Sequence, residues 1–211
     1  MRPSLARRVW TLRSFLYGLC ESSDARRWRV KDRLFNRAHG RTLLIAAGTG
    51  LDFRHLPAVR VTAIEFSAAM LAKARQRVTD SRARLDLVQA DAQSLPFPTH
   101  AFDTIITSFT LCSVPDPVAA LAEIRRTLKP RGRLLMFEHV RSRQRLLGWV
   151  LDVMNLWTRV GGARMNQQTV RRAIESGFRI VGIESVFLDV IIAVEAIAPS
   201  RGGPGAPSRA M

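Results

Sequence analysis

Residues 43–53 read LLIAAGTGLDF, an apolar run that stops at Gly48-Thr49-Gly50. A second apolar run, VRVTAIE, follows and ends in Glu65. A sheet protein holds an adenosine-containing ligand in this way: glycines let the backbone approach it closely, and a carboxylate at the end of the next strand takes the ribose hydroxyls. The glycine spacing narrows the ligand. A dinucleotide fingerprint G-x-G-x-x-G that starts at Gly48 requires a third glycine at position 53, where the chain has Phe53. A nicotinamide dehydrogenase is therefore disfavoured.

Outward from this loop, residues 42–47, 59–65, 84–90, 102–108 and 132–139 are apolar runs of strand length, with helical patterns at 67–78 and 116–128 between them. Alternating β and α with near-continuous apolar strands predicts a parallel sheet covered on both faces. Lys129-Pro130-Arg131-Gly132 reads as the turn into the fifth strand, with Pro130 closing the helix and Gly132 permitting the reversal. The tail from Pro199 is rich in Gly, Pro and Ser and is expected to be disordered.

The loop read backwards from Gly50 resembles motif I of the class I S-adenosylmethionine (SAM) methyltransferases, E/D-x-G-x-G-x-G, with Leu44 in the place of the acid and Ala46 in that of the first glycine. The resemblance continues through VTAIEFSAAMLAKAR (61–75), LVQADAQSLPFPTHAFDTIITS (87–108), LCSVPDPVAALAEIRRTLKPRGRLLMFEHV (111–140) and GGARMNQQTVRRAIESGF (161–178). These blocks look like those of enzymes that methylate phospholipids, quinones and small thiols. The resemblance implies an α/β, Rossmann-like seven-stranded sheet, mostly parallel, with 178–187 and 190–198 as an antiparallel hairpin. It divides the chain into a basic amphipathic N-terminal segment (1–40), a SAM-binding domain (41–198) and a tail (199–211).

By the same resemblance SAM is the cofactor. Gly48 and Gly50 form the floor under its methionine part, with the Ala46 carbonyl and the Thr49 hydroxyl beside it. Glu65 takes the ribose, Phe66 and Met70 flank the adenine, Asp91 accepts from its exocyclic amine and Ala92 offers a backbone amide. Met70 is equally a core residue, and Asp91 could instead cap the turn before Ser94. Leu44 cannot supply the charged hydrogen bond that an acid gives the SAM ammonium, worth about 1.5–3 kcal/mol. Asp52, read first as a helix N-cap, or Ser108 could take that place. Ser108-Phe109-Thr110 and Glu138-His139, at the ends of the fourth and fifth strands, face the transferred methyl, because ligands of open parallel sheets lie outside the carboxyl ends. His139 and Glu138 are candidate bases, His139 being equally readable as a structural imidazole. Tyr17, with Trp10, Trp149 and Trp157, could line the acceptor pocket, bind a choline-like ammonium or simply pack.

The chain of 211 residues carries a net charge of +16, and 30 of its 33 basic residues are arginine. Residues 1–40 hold ten Lys/Arg against three Asp/Glu, and 141–211 hold ten against five, so the charge concentrates at the two ends. Leu5, Val9, Leu12, Leu16 and Leu19 recur at helical spacing, and Leu146, Trp149, Val150, Val153, Met154 and Trp157 form a second basic amphipathic stretch. They read either as lid helices on the sheet or as peripheral contacts with an anionic membrane, and the arginine excess could equally reflect codon bias. Cys20 and Cys112 have no metal-ligand spacing, so no metal is expected and a reducing cytoplasm is the simplest compartment. The chain has no N/D-P-P-Y segment after the fourth strand and no Pro-Cys pair, which disfavours nucleic acid as substrate despite the charge. The expected function is methyl transfer to a small lipophilic or amphiphilic acceptor, most simply the amine of an ethanolamine phospholipid. A thiol or quinone is the alternative acceptor, and a non-catalytic SAM-binding protein is the alternative of another class.

Overall fold

A computed structural model describes residues 25–140, 142, 144 and 168–200. Eleven elements carry the argument: α1 (Ala25–Phe35), β1 (Thr42–Ile45), β2 (Arg60–Glu65), α2 (Ala68–Arg75), β3 (Arg84–Gln89), β4 (Phe102–Ser108), α3 (Pro117–Thr127), β5 (Leu128–His139), α4 (Thr169–Glu175), β6 (Arg179–Phe187) and β7 (Ile191–Ile197). The strands form one seven-stranded sheet in the order β3-β2-β1-β4-β5-β7-β6. β1 to β5 are mutually parallel, while β7 runs antiparallel to both β5 and β6. This is the expected Rossmann-like α/β sheet with its antiparallel hairpin.

Alternation along the strands sends side chains to two cores. Leu43 and Ile45 of β1 and Leu134 and Met136 of β5 join Leu121 and Ile124 of α3 and Ala173 of α4 on one face. Leu44, Leu135 and Phe137 join Val30, Leu34 and Phe35 of α1 and Ala74 of α2 on the other. The helices start where the sequence places polar caps. The Ser67 hydroxyl accepts from the Met70 amide, and one Asp116 carboxylate oxygen accepts from the Val118 and Ala119 amides.

Two local readings need correction. β5 begins at Leu128 rather than after Gly132, and the residue that turns left-handed is Arg131, at φ 61°. Gly132 is required for a different reason, since a Cβ there would lie 2.8 Å from the Lys129 carbonyl oxygen. Asp52 is not a helix cap either. The segment after Gly50 is a five-residue 3-10 turn, Leu51–His55, with Gly50 in the cap position, and Asp52 pairs with Lys31 of α1 at 2.5 Å. The stretches 1–24 and 145–160, with Tyr17, Trp10, Trp149 and Trp157, lie outside the described residues, as does the tail from 201. Among the described residues no helix is long and apolar enough to cross a membrane.

Candidate functional site

The strand order reverses between β1 and β4, and an open cavity of about 970 Å³, its solvent-filled mouth included, lies at the carboxyl ends there. On the β1 side, Ala46 and Gly48 reach its wall. Ala46 keeps the left-handed backbone, φ 57°, that a glycine would adopt without strain. Gly48, at φ 59°, has nothing nearer than the Ala46 carbonyl oxygen, 4.0 Å away, where a Cβ would stand. Its surroundings are open on the cavity side, as close approach to a ligand requires. Gly50 differs from its expected role as floor. A Cβ there would lie 2.8 Å from the Phe53 ring and 3.1 Å from the Ala74 Cα, so Gly50 serves the packing of the loop on α2. Thr49 is buried and also stands off the wall, its hydroxyl without a hydrogen-bond partner among the described residues and its carbonyl accepting from Arg77 at 2.7 Å.

Glu65 ends β2 in the cavity wall and ties the two neighbouring loops together. One carboxylate oxygen accepts the Gly48 amide at 2.9 Å and the other the Ser67 amide at 2.8 Å. Each oxygen keeps further acceptor capacity for a diol. Burial raises its pKa above the ordinary carboxylate value, and the Ser67, Gly48 and Phe66 amides offset only part of this. Phe66, Met70, Asp91 and Ala92 line the same side. Asp91 lines the cavity, and in the turn before Ser94 its carboxylate accepts the Gln93 amide at 2.9 Å. Gln93 is a wall residue the sequence did not single out. Its side chain donates to Asp91 at 3.0 Å and accepts the Asp116 amide at 3.0 Å, joining the loop after β3 to the cap of α3. An isolated glutamine in a loop gives no spacing signal for such a bridge.

The β4 side is built by Ser108, Phe109, Thr110 and the turn through Ser113, Val114 and Pro115. Phe109 is left-handed at φ 50°, held by its amide on the Phe137 carbonyl at 2.8 Å and by its own carbonyl, which accepts from Ser113 Oγ at 3.0 Å. Strain at a bulky residue persists where the surroundings over-determine it. The His139 ring stacks on Phe109 at 4.3 Å between centroids, and the Lys31 ammonium lies 5.2 Å from the Phe109 centroid. Burial first, then the charges of Arg27 and Lys31, push the His139 pKa down to about 4. The imidazole is neutral at pH 7 and a weak base.

Neither candidate base lines the cavity, His139 included, and Glu138 is the deeper of the two. It is fully buried and accepts the backbone amides of Thr110 at 3.1 Å and Leu111 at 3.2 Å, and burial pushes its pKa up to about 7. It holds the wall loop in place without touching the open space. Leu44, where the motif acid belongs, faces the α1 core at 1% exposure and is equally outside the wall. Asp52, the acid the sequence offers in its stead, is likewise absent from the wall. Burial raises its pKa, but the adjoining Lys31 outweighs this and holds the carboxyl below its ordinary value. Sequence separation of 21 residues hides this pair from any local pattern.

Residues 43–136 match the family described as methyltransferase domain. A phosphatidylethanolamine N-methyltransferase from Cereibacter sphaeroides is 33% identical over 133 residues, 62% of this chain and 64% of that protein. A ubiquinone/menaquinone biosynthesis C-methyltransferase UbiE from Pseudomonas fluorescens is 37% identical over 123 residues, 55% of this chain and 48% of that protein. The chain thus spans between about half and two thirds of the length of these relatives. Among solved structures, a putative methyltransferase from Bacillus halodurans superposes with a TM-score of 0.67 at 15% identity, covering 81% of this chain and 99% of that one. A structure titled as the [4+2]-cyclase SpnF gives a TM-score of 0.66 at 22% identity, covering 82% and 81%. At such identities the likeness is one of fold, which is shared by different chemistries.

Proposed function

We propose that the chain is a class I SAM-dependent methyltransferase that moves a methyl group from SAM to a small lipophilic or amphiphilic acceptor, a reading supported by the methyltransferase-domain match over residues 43–136. The observation that carries this reading is the composition of one cavity. Gly48, Glu65 and Asp91 line one side, and the apolar Phe109, Val114 and Pro115 line the other. The residues present fit SAM: Gly48 leaves open space where a Cβ would stand, and the Glu65 carboxylate has acceptor capacity beyond its two backbone bonds. SAM, when bound, supplies a methyl activated by its sulfonium. Glu65 and Asp91 would accept from its ribose and adenine, while Phe66 and Met70 would enclose the base. The rest of the protein's work is alignment and exclusion of water.

The acceptor we propose is the amine of an ethanolamine phospholipid, supported by the phospholipid-methylating relative and by the apolar wall. A quinone is the second reading, favoured by the UbiE relatives. An ammonium must lose its proton before its lone pair can attack. His139 stacks on Phe109 outside the wall and, with its pKa pushed down to about 4, takes a proton only weakly. The loss therefore falls to desolvation of the amine and to solvent at the cavity mouth. The test is a labelled-methyl assay on extracted lipids, quinols and small thiols, run beside calorimetry with SAM. Label in phosphatidylethanolamine is the expected result. Label only in a quinol or a thiol moves the acceptor, and SAM binding without label in any acceptor makes the chain a non-catalytic binder.

A further inference from the structure

Three large apolar side chains at the cavity end of the sheet face solvent: Trp28 at 37% exposure, Phe187 at 46% and Leu188 at 57%. Their common location follows from register. His139 pairs with Ile191, and the Val140 amide donates to the Val190 carbonyl at 2.8 Å, so the turn between β6 and β7 stands at the carboxyl end of β5, beside the cavity. α1 runs along the hairpin with its first turn at that end. Arg27 lies over the Phe187 ring at 5.4 Å, whereas Arg33 reaches Glu184 and Arg37 reaches Glu195 further down. Trp28 meets the 3-10 turn after β1, with Arg54 stacked 5.1 Å over its ring.

Arg26 and Arg29 of α1 and Arg54 are exposed in this region. Among the described residues, Asp32 binds His55 at 2.8 Å and Asp189 accepts from Ser142 at 2.6 Å. Leu188 adds an independent observation. It is a branched residue in the left-handed region, φ 47°, at an exposed turn tip, a conformation that costs stability and brings no burial in return. Rings with arginines on their faces, and an apolar tip next to Phe187 in the chain, match the boundary of an anionic bilayer. The rings and the tip enter the headgroup layer there while the guanidiniums bind phosphate.

We propose that the face formed by Trp28, Arg54, Phe187 and Leu188 docks on an anionic lipid bilayer and brings the cavity mouth to its surface. It rests on the reading of a membrane-dissolved acceptor and adds the surface through which that acceptor is reached. The attraction is electrostatic in part and should weaken as salt screens it.

The test uses the full chain with Cys20→Ser and Cys112→Ser, carrying a polarity-sensitive fluorophore at Leu188→Cys or, at the opposite end of the sheet, at Thr99→Cys. With vesicles of phosphatidylglycerol and phosphatidylcholine the label at position 188 should brighten at least twofold and the label at 99 should not; pure phosphatidylcholine should change neither. In co-sedimentation of the otherwise unmodified chain, Leu188→Gly should reduce vesicle binding at least fivefold and leave SAM affinity unchanged. This variant relieves the backbone strain, so misfolding does not explain such a loss. Trp28→Ala should act in the same direction. Vesicle binding that is undiminished in both variants, or a silent label at 188 on bound protein, overturns the proposal. So does a chain that ignores vesicles but self-associates through this face, shown by a dimer in size exclusion that Leu188→Gly dissolves. SAM calorimetry is independent of all these arms, so failure of the docking face is distinguishable from failure of the methyltransferase reading.

Discussion

Glu65 and Glu138 each end, or nearly end, a parallel strand, and each carboxylate accepts backbone amides from the loops beside it. Burial raises the pKa of both. They differ in what lies beyond. Glu65 borders open space, whereas Glu138 is sealed at 0% exposure behind the loop it holds. The β2 side of the cavity thus turns a carboxylate to open space, and the β4–β5 side uses one to fix a strained aromatic wall. The same residue type near the end of a strand borders open space in one region and fixes a wall loop in the other.

The largest effect expected is on the neutral core between these regions. Leu44→Glu, written to restore the motif acid, places a carboxylate at 1% exposure among apolar side chains, so stability should fall by about 3 kcal/mol or more. Urea denaturation measures it. An unchanged midpoint with tighter SAM binding would show that the side chain turns into the cavity and that the two regions are less separate than described.

The next test concerns pH. The Glu138 pKa is raised from 4.5 to about 7, so the folded state binds its proton more tightly than the unfolded chain does. The contribution is fully present below 4.5 and is lost as pH rises through about 7, a change of ~3 kcal/mol. His139 acts in the opposite sense. Its pKa is lowered from 6.5 to about 4, so its contribution is present above 6.5 and is lost as pH falls through about 4. The two slopes oppose one another in the wild type between about pH 4.5 and 6.5. Glu138→Gln should unmask stability that rises with pH in that window, and His139→Asn stability that falls. Denaturant midpoints across pH that leave both variants parallel to wild type would remove the sealed carboxyl from the comparison.

For ligand affinity, Glu65→Ala and Asp91→Ala should each weaken SAM binding at least tenfold by calorimetry, about 1.4 kcal/mol. Glu138→Gln should change it far less. Equal losses at Glu65 and Glu138 would erase the distinction between presenting and holding. The smallest effect belongs to Ala46→Gly. Relief of the left-handed backbone is worth roughly 1–2 kcal/mol, and the added flexibility of glycine takes back about 0.5–1. A net gain under about 1 kcal/mol in thermal stability is expected.

The architecture was legible because the strands are apolar runs and the helices carry their own caps: Ser67 and Asp116 stand where the pattern starts each helix. The recognition side was legible in part. The order Gly48, Glu65, Asp91 falls in one wall, but Gly50 and Thr49 do not, because spacing fixes which residues turn the chain and not which way each faces. The holding side was mostly illegible. Glu138 and His139 adjoin in sequence and look like one catalytic pair. Alternation in β5 sends them to opposite faces of the sheet, one onto the amides of the β4 loop and one onto the Phe109 ring. The Lys31–Asp52 pair joins α1 to the loop after β1, and nothing in either local sequence announces it.

The 3-10 turn after Gly50 bears on ligand charge. A long α-helix at this point would aim a macrodipole, equivalent to about half a positive charge, at whatever sits over the loop, and would favour a pyrophosphate. The chain has five residues of 3-10 turn instead, with Asp52 in its first turn and the ring of Phe53 closing the space under Gly50. So short a turn adds little dipole of its own, and Lys31 is paired with Asp52. A pyrophosphate attached to an adenosine would therefore find no long helix terminus at this loop to sit on.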